Sequence, residues 1–133
     1  MTESPTISCK HLSVIVPAAG VGKRMKANCP KQYLKINDLT VLEHTVLRLL
    51  SHSRVSQVII ALSENDDYFA STSLANHPKV TRVVGGLERV DSVLAGLHAI
   101  DTKIEPWVMV HDAARPCVTH RDIDALINSC QKN

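Results

Sequence analysis

An open, mostly parallel, doubly wound α/β sheet is the fold that the sequence predicts, and three observations point to it. Short apolar runs rich in β-branched residues alternate along the chain with segments of helical period. The strand-like runs are apolar on successive residues, which suits strands covered by helices on both faces. The segments between them are long enough for right-handed βαβ crossovers.

The elements follow in order. Leu12 to Val16 is the first strand-like run. A helical stripe of Val41, Leu42, Thr45, Val46, Leu49 and Leu50 comes next, opened by Thr40 with Glu43 three residues on, the pattern of a capping box. Val55 to Leu62 is the second strand, followed by a looser helix expected between Asp66 and Leu74. Val80 to Val84 is the third strand, and Val90, Val93, Leu94, Leu97 and Ile100 form the next helical stripe. Trp107 to Val110 is the fourth strand. The last stripe is Ile123, Leu126, Ile127 and Cys130, with Thr119 and Asp122 spaced as a second capping box.

A length of 133 residues predicts one domain, read as an N-terminal extension over 1–11 and a nucleotide-binding α/β domain over 12–133. The chain stops at Gln131-Lys132-Asn133, where the pattern would next supply a strand, so a truncated form is expected.

Bulk composition excludes several classes. A net charge of +2 gives no argument for a nucleic-acid partner. Cys9, Cys29, Cys117 and Cys130 lack the close pairing of zinc sites, and a chain this long builds its own core without a disulfide framework. The N-terminus has no secretory pattern, and apolar runs fall far short of the ~20 residues that a membrane helix requires. A cytoplasmic protein with no membrane partner is expected.

In doubly wound sheets, ligands bind beyond the carboxyl ends of the strands. Three loops are thereby singled out: Pro17 to Lys31, Gly85 to Arg89, and His111 to Pro116. The first is not a Walker A loop, which would need Gly at Pro17 and Ser or Thr at Arg24. Nor is it a dinucleotide fingerprint, whose third glycine falls on Met25. It is a small-residue turn, Pro17-Ala18-Ala19-Gly20-Val21-Gly22, followed by Lys23, Arg24, Lys26 and Lys31. Successive amides in such a turn cradle anions, Arg24 grips phosphate through paired donors, and Lys31 adds a mobile charge. Taken alone, it fits a solvated basic loop equally well.

The second loop places Gly85 and Gly86 between a strand and a helix, where the backbone can approach a ligand closely or simply turn. In the third, Asp112 is a plausible magnesium ligand, since Mg²⁺ takes one or two carboxylates and fills its shell with water and phosphate oxygens. A turn cap paired with Arg115 is the plainer alternative for Asp112. Placed on one rim, the three loops combine into what a nucleoside triphosphate and Mg²⁺ require.

At these residues the sequence resembles the 2-C-methyl-D-erythritol 4-phosphate cytidylyltransferases. The matching stretches are Pro17 to Met25, Pro30-Lys-Gln-Tyr33, Gly85-Gly86 with Glu88-Arg89 and Asp91-Ser-Val93, and His111-Asp-Ala-Ala-Arg-Pro116. The resemblance spans Leu12 to Cys130 and implies a Rossmann-like sheet of the nucleotidyltransferase type. It implies transfer of CMP from CTP to a small polyol phosphate, with Mg²⁺ as cofactor and a homodimeric assembly. It assigns Arg24 and Lys31 to the triphosphate and the transition-state charge. Pro17, Ala18, Ala19 and Gly20 would hold ribose and phosphates, and Gly86 and Ser92 would face the base. Arg89 would order that loop, Ala113 would join the nucleotide site, and Asp112 would bind the metal. Leu87 stands where the family often carries a polar or acidic residue. The family's later part, with the second-substrate pocket, another catalytic lysine and the dimerisation arm, is absent from the sequence. A non-catalytic CTP-binding module, or a cytidylyltransferase for another polyol phosphate, is the alternative.

Overall fold

The computed structural model describes residues 11–19, 31–86, 88–100, 108–113 and 119–132. Its main sheet has four parallel strands: β1 (Leu12–Pro17), β4 (Val55–Leu62), β5 (Val80–Val84) and β6 (Val108–Val110). Two further strands, β2 (Lys35–Ile36) and β3 (Leu39–Thr40), form a small antiparallel hairpin. The order across the main sheet is β5-β4-β1-β6. The chain therefore builds outward from β1 to β5, then returns to the other side of β1, the reversal that opens a crevice at the carboxyl ends.

Strand alternation divides the core. Val14 and Val16 of β1 and Val58, Ile60 and Leu62 of β4 face α1 (Val41–Leu50) and Ile123 of α3 (His120–Lys132). Ile15 and Ile59 point to the other face, with Leu97 and Ile100 around the end of α2 (Arg89–His98). Leu42, Val46 and Leu49 of α1 are fully buried, each contributing about 1.5–3 kcal/mol of transfer free energy.

The capping box at Thr40 is present: Glu43 N–H donates to Thr40 Oγ1 at 3.0 Å, and Thr40 N–H donates to Glu43 Oε1 at 2.9 Å. The same reciprocal pair joins Thr119 and Asp122, at 3.1 Å in both directions. At the far end of α1, His52 bonds Asp124 of α3 at 2.8 Å and accepts from Arg54 N–H through Nδ1.

Several expectations are corrected. The looser helix between Asp66 and Leu74 is two 3-10 turns, Phe69–Ser71 and Ser73–Asn76. Asp66 takes the Tyr68 and Phe69 amides, while Ser71 and Thr72 bond back to the Tyr68 and Phe69 carbonyls. Such local side-chain bonds compete with a continuous α-helix. Strand β5 lies at the sheet edge and is half exposed, so its apolar run is not that of an interior strand. The helical stripe on α2 is rotated: Val90 and Leu94 are exposed, whereas Ser92 and Gly96 face the sheet. Gly96 lies so close to the Ile15 side chain that the helix seats itself by its small residues rather than its large ones. Leu126 of the last stripe is likewise exposed.

Candidate functional site

The first loop leaves β1 at Pro17 and is held on both sides. Ala18 N–H donates to the Ala61 carbonyl at 2.7 Å, and the Ala18 carbonyl accepts from Gln32 Nε2 at 3.1 Å. Gln32 is buried in the 3-10 turn Lys31–Tyr33, so the backbone of Lys31 begins one residue from a direct bond to this loop. Tyr33 fixes the other end of that turn, donating to Asp66 Oδ2 at 2.6 Å and stacking 5.0 Å from Tyr68. Burial, then the Asp66 carboxylate, push the Tyr33 phenol well above its ordinary range. Gly20 and Arg24 lie outside the described residues, as does the Lys31 side chain.

The second loop meets the first. Gly85 N–H donates to the Leu62 carbonyl at 2.8 Å, which sets Gly85 against Ala19, Ala61 and Ser92. A Cβ on Gly85 would come within 2.9 Å of the Ala19 methyl and 3.2 Å of the Ala61 methyl, and would collide with the Ser92 hydroxyl. Glycine is needed here for approach, not for a special dihedral. Ser92 is buried on α2, and its Oγ has no hydrogen-bond partner among the described residues. An unpaired buried hydroxyl is costly unless a ligand or water completes it. Gly86 is half-buried against Asp91, whose carboxylate accepts from Glu88 N–H at 3.2 Å. Leu87 lies outside the described residues.

The third loop follows β6. His111 N–H donates to the Ile15 carbonyl at 3.0 Å. Asp112 pairs with Arg89, with Nη1 to Oδ1 at 2.5 Å. That contact links the second loop's helix to the third loop; Arg115, the partner the sequence suggested for Asp112, lies outside the described residues. Ala113 is buried, and its carbonyl lies 3.0 Å from Thr45 Oγ1.

Pro17, Ala18, Ala19, Gly86, Arg89, Ser92, Asp112 and Ala113 thus gather at the carboxyl ends of the strands, with the backbone of Lys31 beside them. No group of three or more metal-ligating His, Cys, Asp or Glu side chains occurs among the described residues. Asp112 is chemically compatible with Mg²⁺ nonetheless: it is a single, partly exposed carboxylate, and magnesium takes one or two carboxylates and completes its shell with water and phosphate oxygens. No described helix is long and apolar enough to cross a membrane.

The close backbone approach expected at Gly85 and Gly86 is made at Gly85, towards Ala19, Ala61 and Ser92, and it brings the first two loops together. Two contributors are not evident from the sequence: Gln32 falls within a matching stretch, and Thr45 within an apolar stripe. A threonine hydroxyl on a buried helix face needs a partner, and that signal was available in the sequence.

A model of the 2-C-methyl-D-erythritol 4-phosphate cytidylyltransferase family matches residues 12–133. The protein of that name from Colwellia psychrerythraea is 67% identical over 117 residues, covering 88% of this chain and 48% of the relative. The Vibrio vulnificus (strain CMCP6) protein is 54% identical over 128 residues, covering 95% of this chain and 54% of the relative. The crystal structure of the Francisella tularensis enzyme superposes with a TM-score of 0.71 at 34% identity, covering 92% of this chain and 53% of that one. The chain spans about half the length of the curated relatives it matches. With this fold, these loops and that match over nearly its whole length, the chain belongs to the 2-C-methyl-D-erythritol 4-phosphate cytidylyltransferase family.

Proposed function

We propose that this chain supplies the nucleotide-binding part of an enzyme that transfers CMP from CTP to 2-C-methyl-D-erythritol 4-phosphate, releasing pyrophosphate in isoprenoid precursor synthesis. A phosphate oxygen of the acceptor attacks the α-phosphorus of CTP, and the bond from that phosphorus to the bridging oxygen of the β-phosphate breaks. The attacking group is already anionic, so no general base is required. Catalysis rests on holding the reactants in line and offsetting developing negative charge.

In this reading, amides from Pro17 to Gly20 receive ribose and phosphates, and Gly86, Ser92 and Ala113 border the base and sugar. Arg24 and Lys31 offset charge on the triphosphate. Asp112 would hold Mg²⁺, which when bound neutralises phosphate oxygens, and Arg89 orders the rim through Asp112. A cytoplasmic, homodimeric enzyme accords with the resemblance. The observation that carries the reading is the buried Ser92 hydroxyl, unpartnered among the described residues, beside the Gly85–Ala19 contact. It is a specific donor and acceptor at the place where a nucleotide base would lie.

The test is a calorimetric titration of the 133-residue chain with CTP and Mg²⁺, followed by a pyrophosphate-release assay with 2-C-methyl-D-erythritol 4-phosphate. Saturable binding supports the nucleotide site, and the absence of binding to folded protein rejects it. The half-length match to relatives favours a second reading, a CTP-binding module without turnover. Binding without pyrophosphate release is the outcome that selects it. Release with ribitol phosphate in place of the methylerythritol phosphate would reassign the acceptor.

A further inference from the structure

Beneath the rim, two buried side chains bond to the loops themselves. Thr45 is fully buried on α1, and its Oγ1 lies 3.0 Å from both the Val41 and the Ala113 carbonyls. A hydroxyl has one proton to give. The Val41 carbonyl already accepts the helical bond from Thr45 N–H. The Ala113 carbonyl is the acceptor within reach outside the helix, so a bond to it ties α1 to the third loop. Gln32 makes the matching contact on the other side, donating from Nε2 to the Ala18 carbonyl with only 2% of its surface exposed.

Valine would fill the Thr45 position with nearly the same shape, between Leu42, Val46 and Leu49. Burying a hydroxyl there is unfavourable unless it is bonded. Both side chains belong to one continuous segment, residues 31–45, and each grips a carbonyl rather than facing the cleft.

We infer that Thr45 and Gln32 are positioning residues, a buried brace that sets where the first and third rim loops stand relative to each other. Its consequence for nucleotide affinity rests on the function proposed above. The brace acts through the backbone: Thr45 fixes the residue after Asp112, and Gln32 fixes the loop that precedes the cationic stretch while carrying the backbone of Lys31 with it.

The test uses the 133-residue chain with Thr45→Val, Thr45→Ser and Gln32→Met. Amide hydrogen exchange is measured over His111–Ala113 and over Val58–Ile60, together with calorimetric titration of CTP and Mg²⁺. Thr45→Val is expected to speed exchange at His111–Ala113 by about tenfold while leaving Val58–Ile60 unchanged, and to weaken CTP binding by about tenfold. Thr45→Ser, which keeps the hydroxyl, is expected to restore both. Gln32→Met is expected to weaken CTP binding similarly without altering exchange in Val58–Ile60, and it decides the matter if Thr45→Val does not fold. Wild-type exchange at His111–Ala113 in Thr45→Val, equal acceleration in both segments, or failure of Thr45→Ser to rescue would overturn the inference. If the wild-type chain binds no CTP, the nucleotide reading falls, and the exchange measurements still decide the brace.

Discussion

Arg89 donates from Nη1 to Asp112 Oδ1 at 2.5 Å, tying the first residue of α2 to the loop beyond β6. The two side chains are 58% and 39% exposed, so solvent screens the pair and its direct contribution to stability is small, about 0–1 kcal/mol. In the function proposed above, its role is alignment of the rim. Arg89→Ala is expected to change the unfolding free energy by less than about 1 kcal/mol while weakening CTP binding by about tenfold. Urea denaturation and calorimetry on the same preparation check this, and unaltered affinity would remove Arg89 from the site.

Asp112→Asn addresses the metal. The substitution keeps the shape of the side chain but removes the charge that would hold Mg²⁺. A higher Mg²⁺ concentration is expected for half-maximal CTP binding. A metal titration coinciding with wild type would refute the assignment.

Glu43 makes an acid-stability prediction. Burial by itself would raise its carboxyl, but hydrogen bonds from the Thr40 backbone, from the Ser73 hydroxyl and amide, and from the Thr40 hydroxyl outweigh it and bring the pKa down from 4.5 to about 2. A carboxylate depressed in the folded state adds stability that is fully present above its unfolded pKa. That stability is lost as pH falls from about 4.5 to about 2, amounting to roughly 3 kcal/mol. Glu43→Gln is expected to be less stable at pH 7, since an amide cannot accept all four bonds, and to show a flatter acid limb. Chemical denaturation at several pH values between 6 and 2.5 measures both.

Gly96 is a packing prediction. A Cβ there would come within 2.7 Å of Ile15 Cγ2 and 3.0 Å of two further Ile15 atoms, all in a fully buried side chain. Gly96→Ala is expected to cost about 1–3 kcal/mol despite the better helix propensity of alanine. Combined with Ile15→Ala, the cost should be smaller than the sum of the two single changes. A double-mutant cycle by thermal melting tests this, and strict additivity would show that the contact is not the cause.

What the sequence made legible was local or periodic. The boxes at Thr40/Glu43 and Thr119/Asp122 could be read because both partners sit within one turn. The strands could be read because β1 and β4 are buried on successive residues. The β2–β3 hairpin was missed because two residues per strand give no period, although Asn37 and Asp38, with φ of 54° and 73°, are types that tolerate its left-handed turn. The face of α2 was misjudged because periodicity weighs large apolar residues, whereas Gly96 and Ser92 win by letting backbones close up. Loop positions followed from the switch-point rule. The pairings Arg89–Asp112, Gln32–Ala18 and Thr45–Ala113 did not, since they depend on how far separated segments are brought together.

Ile15 ends two residues before the first loop, receives the third loop on its carbonyl, and seats on its side chain the helix that begins with the second. One buried hydrocarbon residue thus acts as the common datum for all three loops. A change at this position would therefore be transmitted to all three connections through the backbone and α2, from behind the rim rather than across it.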